Sequence, residues 1–304
     1  MPVPALFAGR LSLPVIVSPM FIVSGPDLVV ASCKAGLVGT FPALNQRSTE
    51  GYADWLDEIA GRLAPTDAPY GVNLIVHASN KRLMPDLQVT VAKKVPLVIT
   101  SLGAVKDVVD AVHSYGGLVF HDVINRRHAE KAAEAGVDGI IAVSAGAGGH
   151  AGTMSPFALI SEIRQVFSGT ILAAGAISTG AHVLAARAMG ADLAYMGTRF
   201  IATQESRASA GFKDMIVGSK AADIFYTSAI SGVNANFLRP SIVAAGHDPD
   251  NLPAHGKMDM EGEAKAWKDI WSAGQGVGSI DDVPTVAELA ARLKAEYEAA
   301  KAGL

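Results

Sequence analysis

The stretch Ser144 to Gly152, SAGAGGHAG, places four glycines and one histidine in nine residues, directly after the apolar run GIIAV. Glycine lets main-chain N–H groups approach a ligand with no Cβ in the way. A histidine titrates near ~6.5 and can take or give a proton at neutral pH. Two later stretches repeat the bare backbone: Gly175-Ala176-Ile177-Ser178 and Gly197-Thr198. N–H groups at such turns, close to helix starts, hold a phosphate with little cationic help. The plainer alternative is that these glycines only form tight turns. His150 is then either a proton-transfer group in a site or a hydrogen-bonded structural group. His121 and Asp122 form a second polar pair, in which Asp122 either orients an imidazole or caps the helix that follows.

Several other chemistries are disfavoured. Gly146 to Ala151 satisfies the loose G-x-G-x-x-G/A pattern of dinucleotide binding. However, no helix opens before Ser155, and no Asp or Glu occurs from Ile163 to Ala191, where a ribose-binding acid belongs ~20 residues on. No His-x-Glu, His-Glu-x-x-His or paired-Cys spacing suggests a metal, and no G-x-S-x-G elbow suggests a serine hydrolase. Cys33, the single cysteine, excludes an internal disulfide and reads as a buried, inert thiol within VVASCKAG. His77, His113, His128, His182, His247 and His255 are scattered and read as surface or helix-end residues.

A chain of 304 residues, half hydrophobic and 18% charged, can bury one large core. A net charge of -4 without any Lys/Arg run argues against a nucleic-acid surface and favours a small-molecule partner. Apolar stretches such as LPVIVSPMFIV stop well short of the ~18 residues that span a bilayer, and the N-terminus has no basic region before an apolar core. The expectation is a cytoplasmic protein with no membrane contact, and a homo-oligomer is compatible with it.

The elements that position these residues are legible as eight short apolar runs, at 13–20, 37–41, 70–77, 97–101, 118–123, 139–145, 171–177 and 193–198. Their near-continuous hydrophobicity is what strands buried on both faces of a parallel sheet require. Helical segments lie between them: one opens at Pro26 and Asp27, TEGYADWLDEIAGRL supplies another, and SPFALISEIRQVF starts with Ser155 as N-cap and Pro156 in the first turn. Eight β-then-α units predict a closed (β/α)8 TIM barrel, with an open doubly wound sheet as the alternative. Active sites in such barrels sit at the C-terminal strand ends, where all the candidate residues fall.

After the eighth strand the rhythm stops. Residues 204–272 mix helical pieces with Gly-, Asn- and Pro-rich loops, which predicts a helical or irregular lid and substrate segment rather than a flexible linker. Residues 1–203 and 273–304 form the barrel. Thr285 and Glu288 make a capping box for the final helix, whose Val286, Leu289, Leu293 and Tyr297 share one face.

At this point the chain resembles the FMN-dependent nitronate monooxygenases, formerly called 2-nitropropane dioxygenases, with relatives among NAD(P)H:quinone reductases. AGAGGHAG resembles the segment carrying the family's catalytic histidine. AAGAISTG and GADLAYMGTRFIATQES resemble its phosphate-binding segments, while GVNL and WSAGQGVG match two further flavin-site segments. The resemblance implies that His150 faces the substrate over the flavin ring. It also implies that Asn73 and Thr100 contact the ring or ribityl chain, and that Gly149, Gly175, Gly197 and Thr198 hold the phosphate. Met20 and Gln275 would border the isoalloxazine, and His121, Gly148 and Ala176 complete the expected cofactor set. Many relatives carry Gln followed by Gly or Pro after the first strand, where this chain has Ser18-Pro19-Met20. Lys81 is one candidate for a cation near flavin N1.

The activity implied is oxidation of a nitronate by FMN and O2 to a carbonyl compound and nitrite, with no metal. A nitroalkane needs a base to become a nitronate, and a neutral histidine suits that task. The alternatives are an FMN-dependent reductase passing hydride from NAD(P)H to a quinone or enoyl thioester, and a non-catalytic sensor of a phosphorylated ligand.

Overall fold

In a computed structural model, residues 4–103, 106–252 and 269–304 are described. Eight parallel strands carry the fold: β1 Val15–Val17, β2 Thr40–Pro42, β3 Gly71–Ile75, β4 Leu97–Ser101, β5 Leu118–Val123, β6 Gly139–Val143, β8 Thr170–Ala174 and β9 Leu193–Met196. The short strand β7, Gly149–His150, belongs to a separate sheet. The order β1-β9-β8-β6-β5-β4-β3-β2 follows the chain around the ring, except that β1 joins the last strand. A parallel bridge between Ile16 and Val38 closes the circle, with Val17 N–H donating to the Val38 carbonyl at 2.8 Å. The open-sheet alternative is thereby set aside.

Helices fill the crossovers: α1 Pro26–Lys34, α2 Thr49–Arg62, α3 Leu83–Ala92, α4 Lys106–His113, α5 Arg126–Glu134, α6 Pro156–Val166 and α7 Gly180–Ala188. Their starts follow local chemistry. Ser48, Asn125 and Thr179 accept backbone N–H groups at the N-caps of α2, α5 and α7. Ser155 stands at the N-cap of α6 as expected, but its side chain makes no capping bond and Pro156 in the first turn sets the start.

The strands read as unbroken apolar runs because both faces are buried. Ile16, Ile99, Phe120, Ile141, Leu172 and Leu193 fill the interior, while Val98, Val119, Ile140, Ile171 and Ala173 pack under the helices. Phe7, from the N-terminal 3-10 turn, meets Phe120 edge-on at 6.1 Å. Cys33 is fully buried, and burial pushes its thiol up to about 12, which leaves it inert. No helix among the described residues is long and apolar enough to cross a membrane.

Beyond β9 come the one-turn helix α8 Thr198–Ile201, α9 Ala210–Gly218, the antiparallel pair β10 Ile224–Thr227 and β11 Ala235–Leu238, and α10 Arg239–Ala244. Residues 253–268, the remainder of the expected lid together with His255, lie outside the described residues. The chain then runs through a 3-10 turn at Gln275–Ser279 into α11, Val286–Ala302. Thr285 and Glu288 form the expected capping box there.

Helix α11 packs on α7 through a glycine. A Cβ on Gly180 would run into the Leu293 carbonyl and the Tyr297 amide, and Gly180 N–H donates to Glu296 Oε2 at 2.7 Å. Gly180→Ala should therefore push the closing helix off the barrel and cost about 1–3 kcal/mol. A thermal melt should fall by at least about 2 °C, and an unchanged melting temperature would show that the two helices can separate freely.

Candidate active site

A cavity of about 1450 Å³ opens at the C-terminal ends of the strands. Backbone strain collects around it. Among the described residues four non-glycines have positive φ, and three of them, Ile22 (56°), Leu102 (64°) and Ala176 (55°), line this cavity. Such residues persist only where the surroundings force them, and they concentrate at functional sites.

One wall is a polar chain spread over three barrel strands. Asn73 on β3 donates through its amide to the Ile99 carbonyl at 3.2 Å and to Ser101 Oγ at 2.9 Å. That leaves its own carbonyl as the group able to accept from a ligand. Ser101, at the end of β4, donates its hydroxyl to Asp122 Oδ2 at 2.8 Å. Burial pushes the Asp122 carboxyl up to about 6, opposed by the Ser101 hydrogen bond and by the nearby charge of His150. Asp122 Oδ1 accepts no hydrogen bond. The capping alternative for Asp122 falls, because Asn125 caps α5 by accepting from His128 N–H at 2.9 Å.

His121 on β5 lies 2.8 Å from Thr100 Oγ1 through Nδ1, and Thr100 in turn donates to the Phe120 carbonyl at 3.3 Å. Burial brings the imidazole down to about 4, so it is neutral at physiological pH. Thr100 is completely buried and does not line the cavity, so its part is to orient His121 from behind.

His150 does reach the cavity, and the structure shows what holds it there. Gly149 and His150 form β7, which pairs antiparallel with β11 through Asn236 and Ala235. Asn236 donates its amide to the Ala147 carbonyl at 2.6 Å, Ala151 N–H donates to the Asn234 carbonyl at 3.3 Å, and Tyr226 donates its hydroxyl to the Ala151 carbonyl at 3.0 Å. The segment expected to be only a lid thus supplies the sheet that seats the histidine. Asn236 was hidden in SGVNANF because its role depends on a pairing with Gly149, 87 residues earlier in the chain.

A glycine-rich cradle forms another part of the cavity lining, beginning next to His150 itself. Met20, Gly148, Gly149, Gly175, Ala176, Gly197 and Thr198 all line it, as do Ser178 and Gly276. These glycines do two jobs. A Cβ on Gly148 would come within 2.8 Å of Gly274 N, and one on Gly274 within 2.5 Å of the Gly146 carbonyl, so these positions let two loops interlock. A Cβ on Gly197 would meet only Ser18 and Met20 side-chain atoms, at 3.4 and 3.5 Å, where the backbone faces open cavity. Gln275 does not line the cavity. Its backbone N–H donates to the Gly146 carbonyl at 2.8 Å, and Thr198 Oγ1 accepts from Gly274 N–H at 2.8 Å, so this segment braces the cradle from behind.

The loop after β1 was the expected departure from the family pattern. Asn45 ties it down: its amide donates to the Met20 and Ser24 carbonyls at 3.0 and 2.8 Å, and its side-chain oxygen accepts from Ile22 N–H at 2.9 Å. Lys81 is exposed at the outer mouth, beyond β3.

A flavin-sized group fits these residues. The cavity exceeds the roughly 300–1000 Å³ of ordinary ligand sites, and Ser178 Oγ, buried to 3% exposure for its residue, has no hydrogen-bond partner beside Ala176 and Gly276. A hydroxyl left that way in a glycine-lined cradle suits an anionic oxygen. Among the described residues no group of three or more His, Cys, Asp or Glu could hold a metal.

Residues 8–296 match the family described as nitronate monooxygenase. A curated relative, a nitronate monooxygenase of Paraburkholderia phytofirmans, is 29% identical over 282 residues, covering 78% of this chain and 76% of the relative. The chain spans 48% of the length of another curated relative that it matches. Among solved structures, nitroalkane oxidase from Streptomyces ansochromogenes superposes with a TM-score of 0.83 at 23% identity, over 98% of this chain and 99% of that one. FabK from Thermotoga maritima superposes with a TM-score of 0.80 at 23% identity, over 96% and 95%. At these identities the two structures establish the barrel fold. With the family match running from Ala8 to Glu296, the chain belongs to the nitronate monooxygenase family, a family of flavin-dependent oxidoreductases.

Proposed function

We propose that the chain binds FMN in the cradle and oxidises alkyl nitronates with O2 to a carbonyl compound and nitrite, with His150 as the base that converts a nitroalkane to its nitronate. The observation that carries this reading is the placement of His150. It lies in the cavity beside the buried Asp122, and the same cavity is lined by a glycine cradle whose Ser178 hydroxyl has no partner. Bound FMN would supply the electron transfer, and the remaining work falls to the chain's own groups.

Ser178 and the backbone of Gly175, Ala176, Gly197 and Thr198 would hold the phosphate. Asn73 would offer its carbonyl, and His121, neutral and fixed by Thr100, would border the ring. Met20 would pack against the ring from the loop that Asn45 pins. His150 would remove a proton from the carbon next to the nitro group, and the imidazolium so formed would stabilise the anionic nitronate. Asp122 favours that imidazolium electrostatically and so acts through His150 as a positioning residue. Residues 204–252 and 269–272 would cover the substrate, with Phe212 and Trp271 stacked at 4.9 Å in the cavity wall.

The purified protein should carry or take up FMN, and anaerobic mixing with a nitronate should bleach the flavin band. Bleaching by NADH or NADPH instead would favour the reductase reading. A protein that cannot be reconstituted with FMN would overturn both. His150→Asn should lower kcat/KM for a neutral nitroalkane by far more than about tenfold, the equivalent of ~1.4 kcal/mol of barrier. The same variant should affect the preformed nitronate much less. Equal losses on the two substrates would remove His150 as the base.

Asp122 gives a pH test whose sign is fixed. Its carboxyl titrates higher in the folded chain, about 6, than in the unfolded one, so its contribution is fully present below the unfolded value, near ~3.9, and is lost as pH rises through 6. Asp122→Asn should therefore stabilise the fold at pH 8, by on the order of 3 kcal/mol, and raise the melting temperature there, while leaving it nearly unchanged at pH 4. The same substitution should shift the pH profile for nitroalkanes and leave flavin content intact. A melting temperature equally altered at both pH values would show an ordinary packing effect.

A further inference from the structure

The floor of the cavity is the last inward-facing layer of the barrel, and it differs from the layer beneath it. Below, Ile16, Ile99, Phe120, Ile141, Leu172 and Leu193 make an apolar interior. Two residues further along the same strands, the alternation brings Ser18, Ser101, Asp122, Val143, Ala174 and Tyr195 inward, and all of them line the cavity. Tyr195 is the longest of these side chains. Its phenol reaches inward from β9 and feels the charge of Asp122 on β5, three strands round the ring.

Tyr195 also carries a hydrogen-bond donor that the protein leaves available. Ser101 donates its hydroxyl to Asp122 Oδ2, and the Asn73 amide is engaged by the Ile99 carbonyl and Ser101 Oγ. Ser18 stands beside Tyr195 across the β1–β9 pairing. Among the described residues neither hydroxyl donates to a main-chain or carboxylate acceptor. Asp122 Oδ1 is buried and has no hydrogen-bond partner, so the phenol stops short of it and the gap between them belongs to the cavity. Burial and the charge of Asp122 hold the phenol well above the usual tyrosine range, which makes it a neutral donor at physiological pH. The lining cations Arg47, Lys81, Arg82, Lys106 and Lys131 come from the loops and helices that follow β2 to β5, and none comes from this floor.

Removing a proton from the carbon next to a nitro group leaves negative charge on the nitro oxygens. A donor already fixed where that charge develops lowers the barrier most, because nothing has to reorganise as the bond breaks. We propose that Tyr195 is a second catalytic residue, donating a hydrogen bond to the nitro oxygen while His150 takes the proton from carbon, with Ser18 positioning the phenol. This rests on the nitronate reading above. In the step itself the C–H bond breaks, its proton passes to the imidazole, and its electron pair becomes the second C–N bond of the nitronate. Tyr195 keeps its own proton, and no electron leaves the substrate.

The test is Tyr195→Phe in the full-length, flavin-loaded protein, a change that keeps the ring and removes only the hydroxyl, with Ser18→Ala beside it. For a neutral nitroalkane, kcat/KM should fall on the order of a hundredfold in Tyr195→Phe, the weight of one oxyanion donor, and by less in Ser18→Ala. For the preformed nitronate, anionic from the outset, the loss should fall on KM with kcat nearly kept. His150→Asn spares that substrate, so the two variants have different signatures. Nitrate, a planar anion shaped like the nitronate head, gives a reading without turnover: by calorimetry it should bind severalfold more weakly to Tyr195→Phe than to the wild type. Unchanged nitroalkane kinetics together with unchanged nitrate binding overturns the proposal. A flavin spectrum or flavin affinity that shifts in Tyr195→Phe before any nitrate is added overturns it too, since the phenol would then be a flavin contact. Failure of the nitronate reading would show separately, as a flavin that nitronate does not bleach, and the nitrate difference would still decide for or against the hydroxyl.

Discussion

The site depends on one carbonyl and the loops that converge on it. The Gly146 carbonyl accepts the N–H of Gln275 at 2.8 Å and that of Ala176 at 3.3 Å, which ties the loops after β6 and β8 to the segment that returns from residues beyond 268. Only glycine at 148 and 274 lets these backbones approach so closely. The same contact holds the cradle closed on one side and presents Gly149 and His150 to β11 on the other. An imidazole on a free loop would sample many positions. An imidazole on a strand, braced by Asn236 and Tyr226, is held in a single one, which acid–base chemistry at carbon requires.

Electrostatics divide the cavity into regions with different tasks. His121 is desolvated to neutrality and fixed by Thr100, while Asp122 is buried but paired electrostatically with His150. The hydroxyl of Ser101 links Asn73 to Asp122, so the wall from β3 to β5 is a single hydrogen-bonded unit. The cradle contains no cation among its described lining residues, and the cations gather on the far rim.

Much of this was legible in the sequence. The eight barrel strands coincide with the eight apolar runs, because strands buried on both faces cannot alternate polar and apolar residues. The capping box at Thr285 and the helix start at Pro156 are local signals and were read directly. What escaped was non-local. Asn45, Ser101 and Asn236 act through partners 20 or more residues away, and nothing in their immediate neighbours marks them. Thr100 and Gln275 were expected against the cofactor from motif resemblance; neither lines the cavity, Thr100 being fully buried behind His121 and Gln275 exposed with its backbone N–H on the Gly146 carbonyl. The pairing of β7 with β11 could not be anticipated from a two-residue strand that carries no periodicity.

The most direct test is a crystal structure of the protein grown with FMN, read for the position of the phosphorus atom. The account predicts phosphate oxygens within hydrogen-bond distance of Ser178 Oγ and of the backbone at Gly175 to Ala176 and Gly197 to Thr198, with the flavin ring facing His150. Phosphorus over Arg47 and Lys81, or a ring turned away from His150, would contradict it.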